Sequence, residues 1–259
     1  MQQYWPRIER RLGEQNDAPS VIFATGGGCL PIPGVSEAHH PNCTRFAETV
    51  IGIAQDPSIK TIVIAASWYG YFNNSSYRID GASGGQLTVG TLAWNEAFSR
   101  LAAMITEFKS QGKSVWLMLN MPTGGELAPS SSVRRDLFGA AGLEPMQLDR
   151  EKFEKDWRPI KSKLMDIAKS TGAQVIDPMT ALCNEVTCPA RSEDGALIYK
   201  DTGHLRSSYV GAHELHGSNP QVNPCSALYV WSAPKSSSPG LPRTAKTWLN
   251  TPLRRIRLA

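Results

Sequence analysis

Residues 61–67 read TIVIAAS, an uninterrupted run of β-branched and small apolar side chains that ends in serine. A run without polar alternation is typical of a strand that is buried on both faces, as in a parallel sheet covered by helices. Other runs of this kind are bounded by glycine or proline, which predicts that each strand ends at a turn. We therefore predict three more buried strands, at residues 20–25 (SVIFAT), 114–122 (SVWLMLNMP) and 173–178 (AQVIDP).

Helical periodicity fills the intervals between these runs, and residues 92–112 show it best because their apolar side chains recur on one side before Gly112. Alternating helices and buried strands predict an α/β domain with a mostly parallel sheet covered on both faces. Sites in such sheets lie at the carboxyl ends of the strands, which directs attention to the loops GGGCLP, SWYGYF and NMPTGG and to the segment around Asp201 and His204. Further helices are predicted at residues 4–14, 44–55 and 151–171.

The composition is that of an ordinary globular protein, with 259 residues, 41% hydrophobic, 19% charged and a net charge of +4. Most of the positive excess lies at the C-terminal end rather than on a folded basic face, so no nucleic-acid partner is predicted. No apolar window is long enough to span a membrane, and the N-terminus has no signal-peptide core. Periodicity ends in a basic segment rich in Pro and Ser, which predicts a domain over residues 1–211 and a disordered tail over residues 212–259.

Two pairs of cysteines are close together in the sequence. Cys183 and Cys188 have a spacing that suits a local disulfide, and Cys29 and Cys43 flank a turn-like segment rich in Pro. Two short-range pairs suggest an oxidising compartment. Free thiols are one alternative, and a zinc site that uses the two histidines at positions 39 and 40 is another, although the loop lacks a second close ligand pair. No metal and no cofactor are predicted.

The segment YKDTGHLRSSYV, residues 199–210, carries the clearest chemical signal. Asp201 and His204 stand three apart, so both side chains can point the same way from a loop that enters a helix. A histidine in such a pair can take a proton from a serine, while the aspartate fixes the imidazole tautomer and stabilises the imidazolium that forms. The alternative is a surface loop in which Asp201 caps the helix that follows.

Five stretches in a fixed order resemble the SGNH hydrolase-like domain that is fused to the C-terminus of acyltransferase-3 membrane proteins. Those proteins in turn resemble the O-acetyltransferases that modify bacterial surface polysaccharides. The order and spacing of the five stretches together carry the resemblance, which spans roughly residues 4–210. They are GGGCLPIPG, TIVIAASWYGYF, VWLMLNMP, QVIDPMTALCNEVTC and LIYKDTGHLRSSYV.

The resemblance implies a three-layer α/β/α fold of flavodoxin type, with Asp201 and His204 as the acid and base of a Ser-His-Asp triad. Gly27 and Gly28 would lie where the family's second block supplies a backbone donor to the oxyanion, unless residues 26–28 form a plain turn. Trp68 would line the site, the alternative being an aromatic plug over the sheet edge. The family's oxyanion asparagine has no clear counterpart, because Asn73 and Asn74 come late in SWYGYFNN.

The family's nucleophile belongs to a GDSH motif at the end of the first strand, just before a helix of the type that begins this chain. No GDS occurs in the sequence, and Ser83 lacks a strand-turn-helix context. We therefore expect the first strand and its serine to be encoded upstream of Met1, and the printed chain to be inactive. The amphipathic helix that follows the family's histidine is also missing, which a frameshift near residue 211 would explain.

The resemblance implies an acyltransferase or carboxylic-ester hydrolase that acts on acetyl esters of cell-surface glycans. Its partners would be such a glycan and an acyltransferase-3 membrane domain encoded upstream, and the small disulfide Cys183–Cys188 favours the periplasm or a membrane-attached position facing it. One alternative is a non-catalytic glycan-binding module that stacks sugars on Trp68, Tyr69 and Tyr71. The other is a decayed gene fragment that folds poorly, because a missing central strand would expose two strand edges.

Overall fold

The computed structural model describes residues 4–14, 21–81, 84–131, 146–213 and 254–255. In chain order the helices are α1 (Trp5–Gly13), α2 (Cys43–Ala54), α3 (Trp68–Phe72), α4 (Leu92–Ser110), α5 (Arg150–Thr171), α6 (Met179–Leu182) and α7 (Ser207–Ala212). The strands are β1 (Ile22–Phe23), β2 (Val35–Glu37), β3 (Thr61–Ala65), β4 (Tyr77–Ile79), β5 (Gly85–Gln86), β6 (Ser114–Met118), β7 (Gln147–Asp149), β8 (Gln174–Ile176), β9 (Thr187–Pro189) and β10 (Arg254–Arg255).

A parallel sheet of three strands in the order β3-β6-β8 forms the centre of the molecule. Ile64 is paired with Leu117, and Leu117 is paired with Val175. The middle strand β6 is buried along four of its five residues, as the apolar run in the sequence predicted. Helices flank this sheet, so the predicted α/β fold class is confirmed.

The two long helices lie where the sequence placed them, and each has a recognisable start and stop. Thr91 caps α4 by accepting a hydrogen bond from the Trp94 N–H at 3.1 Å, and Asp149 caps α5 by accepting one from the Lys152 N–H at 2.8 Å. After α5 the chain turns at Gly172, whose φ of 69° and ψ of 23° lie in the left-handed region. These helices pack against each other and against β6 and β8.

The predicted strand at residues 20–25 is shorter than expected and lies outside the central sheet. Only β1 forms there, and it pairs antiparallel with β10 near the C-terminus. Within the described residues β3 and β8 each pair with β6 alone, so neither edge of the central sheet has a described partner strand. The prediction of a buried strand over all six residues is therefore corrected to a two-residue strand.

An apolar groove lies between β1 and β3. Ile22 and Ala24 line it from the β1 side, and residues 62–65 line it from the β3 side. Helices α2 and α4 close it with further apolar side chains. The lining contains no charged residue, so its chemistry matches that of the buried core rather than that of a polar ligand site.

Both predicted disulfides are formed. Cys29–Cys43 joins the loop after β1 to the first residue of α2, and Cys183–Cys188 joins the end of α6 to β9. The free-thiol alternative is therefore excluded for these four cysteines. The zinc alternative would use the same two thiols beside the histidines at positions 39 and 40, and the Cys29–Cys43 disulfide removes them as thiolate ligands.

Two small antiparallel sheets were not predicted. One has the order β2-β4-β5, and the other pairs β7 with β9. In the parts of the chain that the structure describes, no helix is both long enough and apolar enough to cross a membrane. Helix α7 ends at Ala212, next to the predicted boundary between residues 211 and 212, and that boundary stays a prediction. Ser83 lies outside the described residues.

Candidate active site

Asp201 and His204 form a carboxylate–imidazole pair on an exposed loop. The His204 Nδ1 lies 2.8 Å from Asp201 Oδ1 and 2.9 Å from Oδ2. The side chain of His204 is 67% exposed and that of Asp201 is 42% exposed. An ionised carboxylate only accepts hydrogen bonds, so Nδ1 carries the proton in this pair and Nε2 of a neutral ring is left as a proton acceptor.

The backbone of the same loop holds the carboxylate of Asp201. Oδ1 accepts hydrogen bonds from the N–H groups of Gly203 at 3.1 Å and His204 at 2.9 Å. Partial burial raises the pKa of Asp201, but the hydrogen bonds from Gly203 and from the ring and backbone of His204 outweigh burial and hold that pKa below its ordinary value. Asp201 is therefore ionised at neutral pH, as a partner for an imidazolium requires.

The base of the loop is closed by buried residues. Tyr199 and Leu205 flank it, are fully or almost fully buried, and form an antiparallel bridge. The Lys200 N–H donates to the His204 carbonyl at 2.7 Å, and Arg206 Nε donates to the Tyr199 carbonyl at 3.1 Å. The exposed pair thus stands on a rigid stem, which keeps its two side chains at a fixed separation.

The loop after β6 adjoins the Asp201–His204 loop. The Gly124 N–H donates to the Thr202 carbonyl at 2.8 Å. Asn120, a polar residue buried to 3% exposure, begins this second loop; the sequence analysis named the loop NMPTGG but gave Asn120 no role. The signal available was an asparagine at the end of an otherwise apolar strand, in LMLN, at the sheet edge where sites form.

The Gly-rich loop after β1 has one glycine with open surroundings. A Cβ on Gly26 would clash with the ring of Phe46, and one on Gly28 would clash with the ring of His40. Gly28 has a φ of 75°, and its carbonyl accepts a hydrogen bond from the Tyr77 hydroxyl at 2.5 Å. Gly27 is exposed, with no heavy atom within 4 Å of its Cβ position. Gly27 is therefore the accessible member of the predicted oxyanion pair.

Trp68 lies beneath the sheet edge rather than in an exposed wall. Its side chain is fully buried, and the indole N–H donates to the Met118 carbonyl at 2.7 Å. Tyr69 and Tyr71 are half-buried, with their rings packed at 5.6 Å from Phe153 and 5.1 Å from Tyr77 respectively. An exposed aromatic platform of these three residues is therefore absent, and Trp68 offers no surface to a substrate.

The two asparagines that follow α3 serve the local backbone. Asn73 Nδ2 donates to the Tyr69 carbonyl at 2.9 Å, and Asn74 Oδ1 accepts from the Ser76 N–H at 3.0 Å. Ser67 is the exposed serine at the carboxyl end of β3, with a backbone φ of −78° and ψ of 66° and no capping bond from its side chain. Because of this position, Ser67 is the serine of the printed chain to be tested as an alternative nucleophile.

Among the comparisons with known proteins, the family models show the family. The family described as SGNH domain (fused to AT3 domains) matches residues 2–215. The solved periplasmic domain of the lipopolysaccharide acetyltransferase of Salmonella ser. Paratyphi A is similar at 14% identity, with a TM-score of 0.47. The match covers 70% of this chain and 64% of that domain, so this chain spans less than two thirds of its length. No curated protein matches the chain.

Proposed function

The chain belongs to the family of SGNH domains that are fused to AT3 domains, and we propose that it transfers or removes acetyl groups on cell-surface glycans. The observation that carries the proposal is the Asp201–His204 pair, with its 2.8 Å contact to Nδ1 and its exposed imidazole. A general base needs a free ring nitrogen that a reacting hydroxyl can reach, and Nε2 of His204 meets that requirement.

We propose that the nucleophilic serine comes from a strand that is not part of the printed sequence and that fills the groove between β1 and β3. Support comes from the apolar lining of that groove and from the β3 edge that has no described partner. The lining includes Ala24 and Ala65, which stand just before the Gly-rich loop and Ser67. A strand parallel to β3 would therefore end at the edge where Gly27 and Ser67 lie. On this proposal the printed chain alone is inactive.

The reaction then follows the logic of acyl transfer. His204 Nε2 takes the proton of the serine hydroxyl as its oxygen bonds to the acetyl carbon, and Asp201 stabilises the imidazolium. The Gly27 N–H is proposed to donate to the oxyanion. When the ester C–O bond breaks, the imidazolium returns the proton to the leaving oxygen. In the second half, His204 takes a proton from a sugar hydroxyl or water as that oxygen attacks the acetyl-enzyme. The imidazolium then returns the proton to the serine oxygen when the bond between the serine oxygen and the acetyl carbon breaks.

The proposed setting is the periplasm, with an AT3 membrane domain on the same polypeptide as partner. Two disulfides support an oxidising compartment, and the family to which the chain belongs is fused to AT3 domains. The glycan-binding alternative has no comparable support, because Trp68 is buried and its neighbouring tyrosines pack against other rings.

The test is turnover of p-nitrophenyl acetate by the chain extended through the coding sequence that precedes it. We expect turnover from the extended chain and none from the printed chain. His204→Ala should lower the rate of the extended chain about 10²- to 10⁴-fold, the usual contribution of a general base. His213→Ala, a matched change at an exposed histidine that stacks on Tyr209, should leave the rate unchanged.

Ser67→Ala in the extended chain distinguishes an external nucleophile from an internal one. We expect this variant to retain turnover, because the proposed serine lies elsewhere. Loss of turnover in Ser67→Ala would move the nucleophile into the printed chain. An extended chain with no turnover, or with turnover that His204→Ala leaves intact, would end the triad proposal.

A further inference from the structure

We propose that residues 120–124, the loop after β6, act as the positioning loop of the Asp201–His204 pair. Thr123 is the principal contact and Asn120 the anchor of this loop. Neither residue is expected to touch a substrate. The consequence for catalysis rests on the proposed function, whereas the geometry itself can be measured without any reaction.

The positioning loop is hydrogen-bonded to the Asp201–His204 loop at Thr202 and lies beside it at Gly203. The Gly124 N–H donates to the Thr202 carbonyl at 2.8 Å. A Cβ on Gly203 would lie 3.0 Å from Thr123 Cγ2 and 3.4 Å from Thr123 Oγ1. Gly203 does not have a positive φ, so its backbone conformation does not require glycine. Glycine is favoured here because the Thr123 methyl leaves little space for a side chain.

The positioning loop is itself fixed to the core through Asn120. Asn120 Oδ1 accepts a hydrogen bond from the Tyr69 N–H at 3.1 Å, which joins the end of β6 to the first turn of α3. Asn120 Nδ2 donates to the Met121 carbonyl at 2.7 Å, and Thr123 Oγ1 donates to the same carbonyl at 3.1 Å. Because Asn120 is almost fully buried and each end of its amide has a partner, the start of the loop is rigid.

The Tyr199–Leu205 stem fixes the two ends of the Asp201–His204 loop, whereas Thr202 and Gly203 at its centre lie against the positioning loop. The His204 side chain is 67% exposed and the Asp201 side chain 42% exposed, and the Asp201 carboxylate accepts hydrogen bonds from the N–H groups of Gly203 and His204. Any displacement of residues 202–203 moves the Gly203 donor directly. A side chain added at Gly203 would press on Thr123 and displace this donor, which would move Asp201 relative to His204 Nδ1.

The experiment uses the printed chain and long-range ¹H–¹⁵N NMR of His204 at pH 9. It measures the ratio of the Nδ1–H to the Nε2–H tautomer, with Asp201→Ala as the reference without a carboxylate. We expect Gly203→Ala to lower this ratio about tenfold, toward the value in Asp201→Ala. A tenfold change corresponds to the free energy of a hydrogen bond to a charged group. Thr123→Ser removes the Cγ2 methyl, so adding it to Gly203→Ala should restore most of the wild-type ratio.

Gly125→Ala is the matched control, because no heavy atom lies within 4 Å of its Cβ position, one residue beyond the loop. It should keep the wild-type ratio. The proposal would be overturned if Gly203→Ala kept the wild-type tautomer ratio, or if the double variant did not recover it. It would also be overturned if the wild-type protein and Asp201→Ala had the same ratio. If the tautomers behave as expected but the extended chain has no turnover, the positioning role stands and the proposed function alone fails.

Discussion

At the scale of the residue, the sequence spacing was enough to predict that Asp201 and His204 can meet, but it did not predict the burial of Trp68. Asp201 and His204 stand three apart on one short loop, so their contact at 2.8 Å depends only on local geometry. Trp68 follows a buried strand, and the sequence alone does not distinguish an indole that faces solvent from one that donates to a carbonyl fifty residues away. Contacts between distant segments, such as Asn120 with Tyr69, leave no spacing pattern.

Glu37 supports a prediction about acid stability. Its side chain is 4% exposed and accepts hydrogen bonds from the His39 N–H and ring, at 2.8 Å and 3.1 Å. The neighbouring Ser76 hydroxyl and these His39 groups favour the charged form and lower the pKa of Glu37 to about 2. An unfolded glutamate has a pKa of about 4.3, so the stabilisation is complete above that pH and is lost as the pH falls toward 2.

We therefore expect Glu37→Gln to lower the free energy of unfolding at pH 6 and to flatten its decline between pH 5 and pH 3. Urea unfolding followed by circular dichroism at several pH values measures both effects. Glu48→Gln, on the exposed surface of α2, is the control and should keep the wild-type pH dependence. An equally steep decline in Glu37→Gln would show that Glu37 does not carry this linkage.

At the scale of the element, periodicity predicted the long helices well and the short strands poorly. Helix α4 buries eight of its side chains, so its pattern repeats over five turns. Strand β1 keeps two residues of a predicted six, because its partner is β10 from the far end of the chain and not a strand of the central sheet. The small antiparallel sheets are built from two- and three-residue strands, which are too short to show an alternation.

Two glycines at helices are expected to respond to alanine with opposite signs. Gly172 after α5 has a φ of 69° and the nearest atom to its Cβ position lies at 3.9 Å, so only the left-handed backbone opposes a side chain. Gly172→Ala should cost about 1 kcal/mol. Gly52 lies inside α2 with open space around its Cβ position, so Gly52→Ala should stabilise by about 0.5–1 kcal/mol.

Urea unfolding of the two glycine variants at neutral pH gives both signs in one comparison. If both variants changed the free energy of unfolding by the same amount in the same direction, the left-handed backbone at Gly172 would not be the reason for glycine at that position.

At the scale of the whole molecule, the groove between β1 and β3 links the fold to the proposed chemistry. The family resemblance predicted a missing first strand, and the structure has an apolar groove beside a β3 edge without a described partner. The carboxyl ends of β3 and β6 bring Ser67 and Asn120 to one edge of the sheet. The contact of Gly124 with Thr202 then attaches the Asp201–His204 loop to that edge. An alternation of strands and helices predicts such an edge, but it does not predict which loops touch.

The acetyl content of the surface polysaccharide tests the central claim, that Asp201 and His204 act together in acyl transfer to or from glycans. It would be measured by ¹H NMR in cells that produce the complete fusion protein, as wild type or with His204→Ala or the control His213→Ala. We predict that His204→Ala brings the acetyl content to that of cells lacking the gene, whereas His213→Ala leaves it at the wild-type level. Wild-type acetyl content in cells with an equal amount of the His204→Ala protein would contradict the account.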